Sequence, residues 1–248
     1  PALGIGSTQI SPQDGMLLNY IPAGTFQMGS ESESSDTQPV HTVALDAFWI
    51  DQTEVTNAMY ALCVADGDCS PPVSTSSYTR SSYYGDAAYA DYPVISVDWS
   101  QATAYCTWAG RQLPTEAQWE YAARGGLAGA IYPWGDEMPS CTLGAQNGAQ
   151  YEPCSPDDTL PVASFAPNGY GLFDMAGNVW EWNADWYGSD YYSSSPPENP
   201  TGPASGDFRM MRGGAGFSPE SSLHVAFRRA IAPSDSGTFI GFRCALSP

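Results

Sequence analysis

A chain of 248 residues can bury most of its apolar surface as one large domain or two small ones. Its formal charge of −19 comes from 27 acidic residues against 8 basic ones, all Arg. A field of that sign repels nucleic acid and anionic lipid at long range and attracts cations. No apolar run approaches the ~20 residues of a membrane helix, so direct insertion into a bilayer is not expected.

Gly (25) and Pro (21) are frequent and charged residues make up only 14%, a composition that predicts a loop-rich globule with few, short helices. Cys63, Cys69, Cys106, Cys141, Cys154 and Cys244 form an even set without a CxxC pair, and only His41 and His224 could complete a zinc site, so disulfides fit better than metal. That implies an oxidising, extracytoplasmic compartment: secreted, periplasmic or cell-surface. The chain starts at Pro1 without a signal-like stretch, and a leader or upstream segment is expected to have been removed before it.

In chain order, Met16 to Met28 reads as two short strands around Pro22-Ala23-Gly24, and Val43 to Val55 alternates as a further strand. Thr56 is the expected N-cap of a helix reaching Ala65 and stopped at Gly67. Ser70 to Tyr92 and Tyr187 to Gly206 are rich in Ser, Tyr, Pro and Gly and read as surface loops of one domain. A second helix is predicted over Trp99–Trp108. A third begins at the capping box Thr115-Glu116-Ala117-Gln118 and ends at Arg124-Gly125-Gly126. Beyond Leu160 the chain reads as short strands and turns, with Trp180, Trp182 and Trp186 at even spacing on one strand face.

Six segments in order resemble the formylglycine-generating-enzyme (sulfatase-modifying factor) family. They are Ile21-Pro-Ala-Gly-Thr-Phe-Gln-Met-Gly-Ser30, Leu113-Pro-Thr-Glu-Ala-Gln-Trp-Glu-Tyr-Ala-Ala-Arg-Gly-Gly126, Asn168-Gly-Tyr-Gly-Leu172, Gly177-Asn-Val-Trp-Glu-Trp182, Arg212-Gly-Gly214 and Gly241-Phe-Arg243. The resemblance implies an irregular α+β, C-type lectin-like fold over residues 12–248, preceded by an extension at 1–11. It further implies that Cys106 pairs with Cys244, closing a long loop worth about 5 kcal/mol of unfolded-state entropy. The other four cysteines then read as local pairs, Cys63–Cys69 and Cys141–Cys154. Ala123 and Val225 stand at the two places of a further family disulfide.

The family oxidises a substrate cysteine with copper(I) held by two thiols. Here those positions fall at Ser218 and near Ser222, and a hard, protonated alcohol is a poor copper(I) ligand, so no copper and no oxidase chemistry are expected. Another branch of the superfamily binds iron through three histidines, which His41 and His224 cannot supply. The resemblance does imply structural calcium at Asp174, Gly177, Val179 and Glu181, and a weaker second site at Asn147, Asp157 and Asp158.

The segment Arg212 to Arg243 also resembles the variable region of ligand-binding proteins diversified by retroelements. In that resemblance Gly213, Gly214, Leu223, Arg228, Pro233 and Gly241 to Arg243 form a fixed frame. Phe217, Ser218, Glu220, Ser222, His224, Phe227, Arg229, Ile231 and Phe239 are exposed, exchangeable ligand-binding positions. Three functions follow: a recognition module for an unknown protein or glycan ligand, a structural subunit of a cell-surface assembly, or a surviving copper-dependent oxidase acting on sulfatase cysteine.

Overall fold

The computed structural model describes residues 3–247; the outermost residues of the 1–11 extension and of the 12–248 domain lie outside the described range. The strands of the first half are β1 (Thr8–Ile10), β2 (Leu17–Ile21), β3 (Gly24–Met28), β4 (His41–Leu45) and β5 (Phe48–Asp51). Three helices follow, α1 (Asn57–Asp66), α2 (Trp99–Trp108) and α3 (Glu116–Ala123). The second half adds β6 (Trp180–Trp186), β7 (Arg209–Arg212), β8 (Arg229–Ile231), β9 (Ile240–Gly241) and β10 (Ala245–Leu246).

Local chemistry sets the helix ends. Thr56 accepts the Met59 N–H, and Gly67 closes α1 at φ +88°, a conformation that suits a residue without Cβ. Thr115 and Gln118 form the reciprocal capping box expected of α3. Asp98 and Gln101 form another on α2, so that two of the three helices start the same way.

The sheets are less local. An antiparallel sheet has the order β1-β2-β5-β10, β3 pairs with β4 as a separate ribbon, and a third sheet has the order β8-β7-β6-β9 with β9 parallel to β6. The strands around Pro22-Ala23-Gly24 therefore separate into two sheets, and residues 8–10 of the expected extension join the first. The single strand expected over Val43–Val55 is two, β4 and β5, turning at Asp46-Ala47. The tryptophan pattern on β6 holds through Trp182. A bulge between Trp182 and Trp186 then shifts the register, and Trp186 is half-buried against Arg209.

One core cluster lies between α1, α2 and the third sheet, where Tyr60 stacks on Tyr105 at 5.5 Å and both meet the edge of Phe242. The second packs α3 against the β3–β4 ribbon and β5 through Trp119, Val43 and Phe48, and includes Ala123 and Val225, apolar residues at the two places of the family's further disulfide. All six cysteines pair as expected: Cys63–Cys69, Cys106–Cys244 and Cys141–Cys154. Cys106–Cys244 ties α2 to the residue just before β10, so the last strand is held by both a bridge and a sheet. No helix among the described residues is long and apolar enough to cross a membrane.

Candidate functional site

The site begins with a buried ionic frame. Arg212, at the end of β7, donates to the carbonyls of Val225, Ala226 and Phe227 and to Glu120 of α3. Arg228 makes a two-point pair with Glu116 at 2.7 and 2.9 Å, and Arg243 makes one with Glu181 at 2.8 and 2.6 Å. These arginines and carboxylates are buried, so each is held by its partner's charge and by backbone carbonyls instead of water. Their partners lie about α3 and β6, which fixes both ends of the 213–227 segment against the core.

Between those ends, Gly213 (φ +97°) and Gly214 (φ +77°) turn the chain out of β7; a Cβ on Gly214 would lie 2.8 Å from Leu223 and 2.9 Å from the Ser222 carbonyl. The turn leads to Ser218, whose Oγ accepts the Ala215 N–H at 3.1 Å and whose carbonyl accepts the Glu152 N–H. Ser222 follows in a single 3₁₀ turn, Glu220–Leu223. Ser218 and Ser222 are both buried, and the six cysteine sulfurs of the chain are all in disulfides. Copper(I) needs thiolate or comparably soft donors, so this donor set does not fit it.

The nine expected ligand-binding positions do not share one face. Phe217 and Arg229 are exposed, Glu220, His224, Phe227 and Ile231 are half-buried, and Ser218, Ser222 and Phe239 are buried, against the expectation that all project outward. Phe227 and Ile231 pack on the first core cluster, and Arg229 lies over the Trp180 ring. His224 bridges Glu33 at 2.5 Å and Glu220 at 3.0 Å beside a different cavity, which Arg124 also lines. Phe217 and Phe239 do come together, with ring centroids 4.5 Å apart, and Tyr78 stands 5.8 Å from Phe239. These three rings line a cavity of about 380 Å³ with Thr238, Glu152 and Asp157. Tyr78 and Glu152 are not among the nine expected positions; the composition of the Ser- and Tyr-rich loop was the only signal for Tyr78, and Glu152 had none.

At the calcium positions, Glu181 gives both carboxylate oxygens to Arg243 and one also to the Trp119 indole N–H, while Asp174 accepts the Ala163 N–H at 2.6 Å. A third carboxylate, Glu54, is fully buried among them; one oxygen accepts from Asn178 and the other has no partner. Burial, Asp174 and Glu181 push the Glu54 carboxyl well above its usual range, and burial pushes Asp174 up to about 6. Three acids therefore share Arg243. The orphaned oxygen and the unbalanced charge fit a hard divalent cation held by Glu54, Asp174 and nearby carbonyls. Among the described residues, however, no group of three or more His, Cys, Asp or Glu side chains is arranged to hold a metal ion.

The weaker second set comes apart. Asn147 donates to the Met138 carbonyl, Asp157 is exposed at the aromatic cavity, and Asp158 is buried and filled by Ser77, Thr79, Thr159 and Arg80. Although burial raises its pKa, those hydrogen bonds outweigh burial and hold Asp158 below the usual carboxylate value, as a tether for the loop that carries Tyr78.

With three short helices and three small sheets among the described residues, the chain has an irregular α+β fold of the C-type lectin-like class. Within it, residues 7–248 match the sulfatase-modifying factor enzyme 1-like domain, and the chain belongs to that family. The formylglycine-generating enzyme of Streptomyces coelicolor is 38% identical over 275 positions, covering 91% of this chain and 87% of the relative. Among solved structures, PvdO from Pseudomonas aeruginosa superposes with a TM-score of 0.82 at 27% identity over 100% of both chains. Treponema denticola variable protein 1 does so at 0.78 and 26% identity, over 98% of this chain and 99% of that one.

Proposed function

We propose that this domain is a non-catalytic, extracytoplasmic recognition module on the formylglycine-generating-enzyme scaffold, with the face around Phe217 as its contact surface and a protein or glycan as its ligand. The observation that carries the reading is the pairing of a spent thiol chemistry with an open aromatic cavity at the same turn: Ser218 is closed into a buried hydrogen bond while its neighbour Phe217 is 49% exposed. Exposed aromatic side chains give large contact area at small entropic cost. The likeness to a protein named as variable supports a surface free to change over a fixed frame. Three disulfides support an oxidising compartment.

Packing gives less support to a role as an assembly subunit. Tyr83 and Tyr192, from the two Tyr- and Ser-rich loops, are buried in the chain's own fold, which leaves fewer of those aromatics for other chains.

We also propose one calcium ion at Asp174 and the Gly177 and Val179 carbonyls, with Glu54 as an added ligand and with Glu181, whose two oxygens are held by Arg243 and Trp119, left outside the ligand set. Its role is structural: it would balance the buried acids behind the β6 strand. The catalytic part of the reading is tested by incubating the protein with copper(I), oxygen and a cysteine-containing sulfatase peptide. The expected mass spectrum shows unmodified cysteine at the level of a protein-free control; formylglycine above that level overturns the proposal.

A further inference from the structure

The cavity at Phe217 has a composition that narrows its ligand. Its walls come from four separated segments, at Tyr78, Glu152 to Asp157, Phe217 and Thr238-Phe239, so only the folded chain builds it. Three aromatic rings at tilts of 48° and 55° present faces of differing direction, and an aromatic face is the negative pole of its quadrupole. Glu152 and Asp157 are exposed, and neither makes an ion pair or side-chain hydrogen bond among the described residues.

Among the described residues no arginine or histidine pairs with either carboxylate. There is no lysine, and Arg80, two residues from Tyr78, is held by Asp158, Thr159 and the rings of Tyr89 and Tyr92 at 4.9 and 5.0 Å. The close approach of Gly216, where a Cβ would lie 3.2 Å from the Phe239 ring, seats that ring at the cavity wall.

We infer that this cavity takes an organic ammonium group with apolar substituents, a quaternary ammonium head, an inference that rests on the contact-surface reading above. Anionic ligands are opposed by both carboxylates. A sugar would stack on the rings but needs several directed hydrogen-bond donors, and the hydroxyls of Tyr78 and Thr238 are the two side-chain donors on the wall. A primary ammonium has three N–H donors to satisfy on leaving water, and ring faces are weak acceptors. A quaternary head has none, so aromatic faces and unpaired carboxylates suit it best.

Calorimetric titration of the intact protein with choline and with its neutral carbon isostere, 3,3-dimethylbutan-1-ol, tests this. Choline is expected to bind saturably at one site and about tenfold more tightly than the isostere, in keeping with a cation–π contribution of ~1–2 kcal/mol. Phe217→Ser should abolish choline binding. Glu152→Gln with Asp157→Asn should weaken choline severalfold and leave the isostere unchanged. All three positions are exposed, so unchanged melting curves would show that the variants fold.

Equal binding of choline and isostere, both lost in Phe217→Ser, would overturn the cation inference while leaving an apolar contact surface in place. Absence of saturable choline binding would overturn it as well. The contact-surface reading itself falls on a different result, formylglycine formation.

Discussion

The two sides of the Gly213-Gly214 turn follow opposite rules. On the frame side, Arg212 meets three carbonyls and a carboxylate, and removing any one group strands the others in a dry interior. On the rim side, the side chains of Phe217, Glu152 and Asp157 are exposed, and neither carboxylate has a side-chain hydrogen bond or ion pair among the described residues. The difference teaches that supporting and exposed positions are separated along the sequence: Arg212 ends a strand in the core, and five residues later Phe217 lies at the surface. A surface can vary only if its support does not depend on it.

The largest expected effect breaks the frame. Arg212→Met leaves Glu120 short of a partner and three carbonyls unmet, and should lower unfolding free energy by about 3–5 kcal/mol in a denaturant titration. A loss below 1 kcal/mol would mean that the frame does not carry the segment.

Chelation comes next. With calcium at a hundredfold excess over its dissociation constant, the ion would contribute about 2.7 kcal/mol, so EDTA should lower Tm and Glu54→Gln should remove most of that difference. A Tm that ignores EDTA would contradict the calcium proposal.

A pH series sharpens the frame side further. Burial, with the Glu116 carboxylate adding to it, pushes Asp185 from 3.8 up to about 8. The folded chain keeps a proton that the unfolded chain releases, so stability should fall as pH rises from about 4 to about 8, by up to ~1.4 kcal/mol per unit. Asp185→Asn keeps an oxygen for the Glu116 N–H and should make that slope shallower in urea titrations taken across the range, with Asp51 and Asp174, which burial pushes up to about 7 and about 6, keeping the rest of it. The smallest effect belongs to the rim: Phe217→Ala should shift stability by no more than about 0.5 kcal/mol.

Much of this was legible in the residues because its causes are local or combinatorial. Thr56 and Thr115 cap helices through bonds to residues three positions on. The asparagine-glycine and Gly-Phe-Arg segments carry a family pattern whose disulfide, Cys106–Cys244, formed as implied.

What escaped is long-range. Arg228 and Glu116 lie 112 residues apart, and nothing in either neighbourhood announces the pair. Glu54 carries no signal of its own in the sequence, because its setting depends on Asp174 and Asn178 arriving from far along the chain. The resemblance to variable proteins implies that the variable positions face outward. A tight turn and a 3₁₀ turn instead rotate Ser218 and Ser222 inward, and only Phe217 of that stretch keeps its expected aromatic exposure.

Copper(I) affinity measures the central claim most directly, because it asks the old thiol positions what they can hold without requiring any substrate. In competition with a chromophoric copper(I) chelator under anaerobic conditions, the protein should leave the metal with the chelator at every ratio. One equivalent of copper(I) withdrawn per chain, and released on substitution at Ser218, would contradict the account.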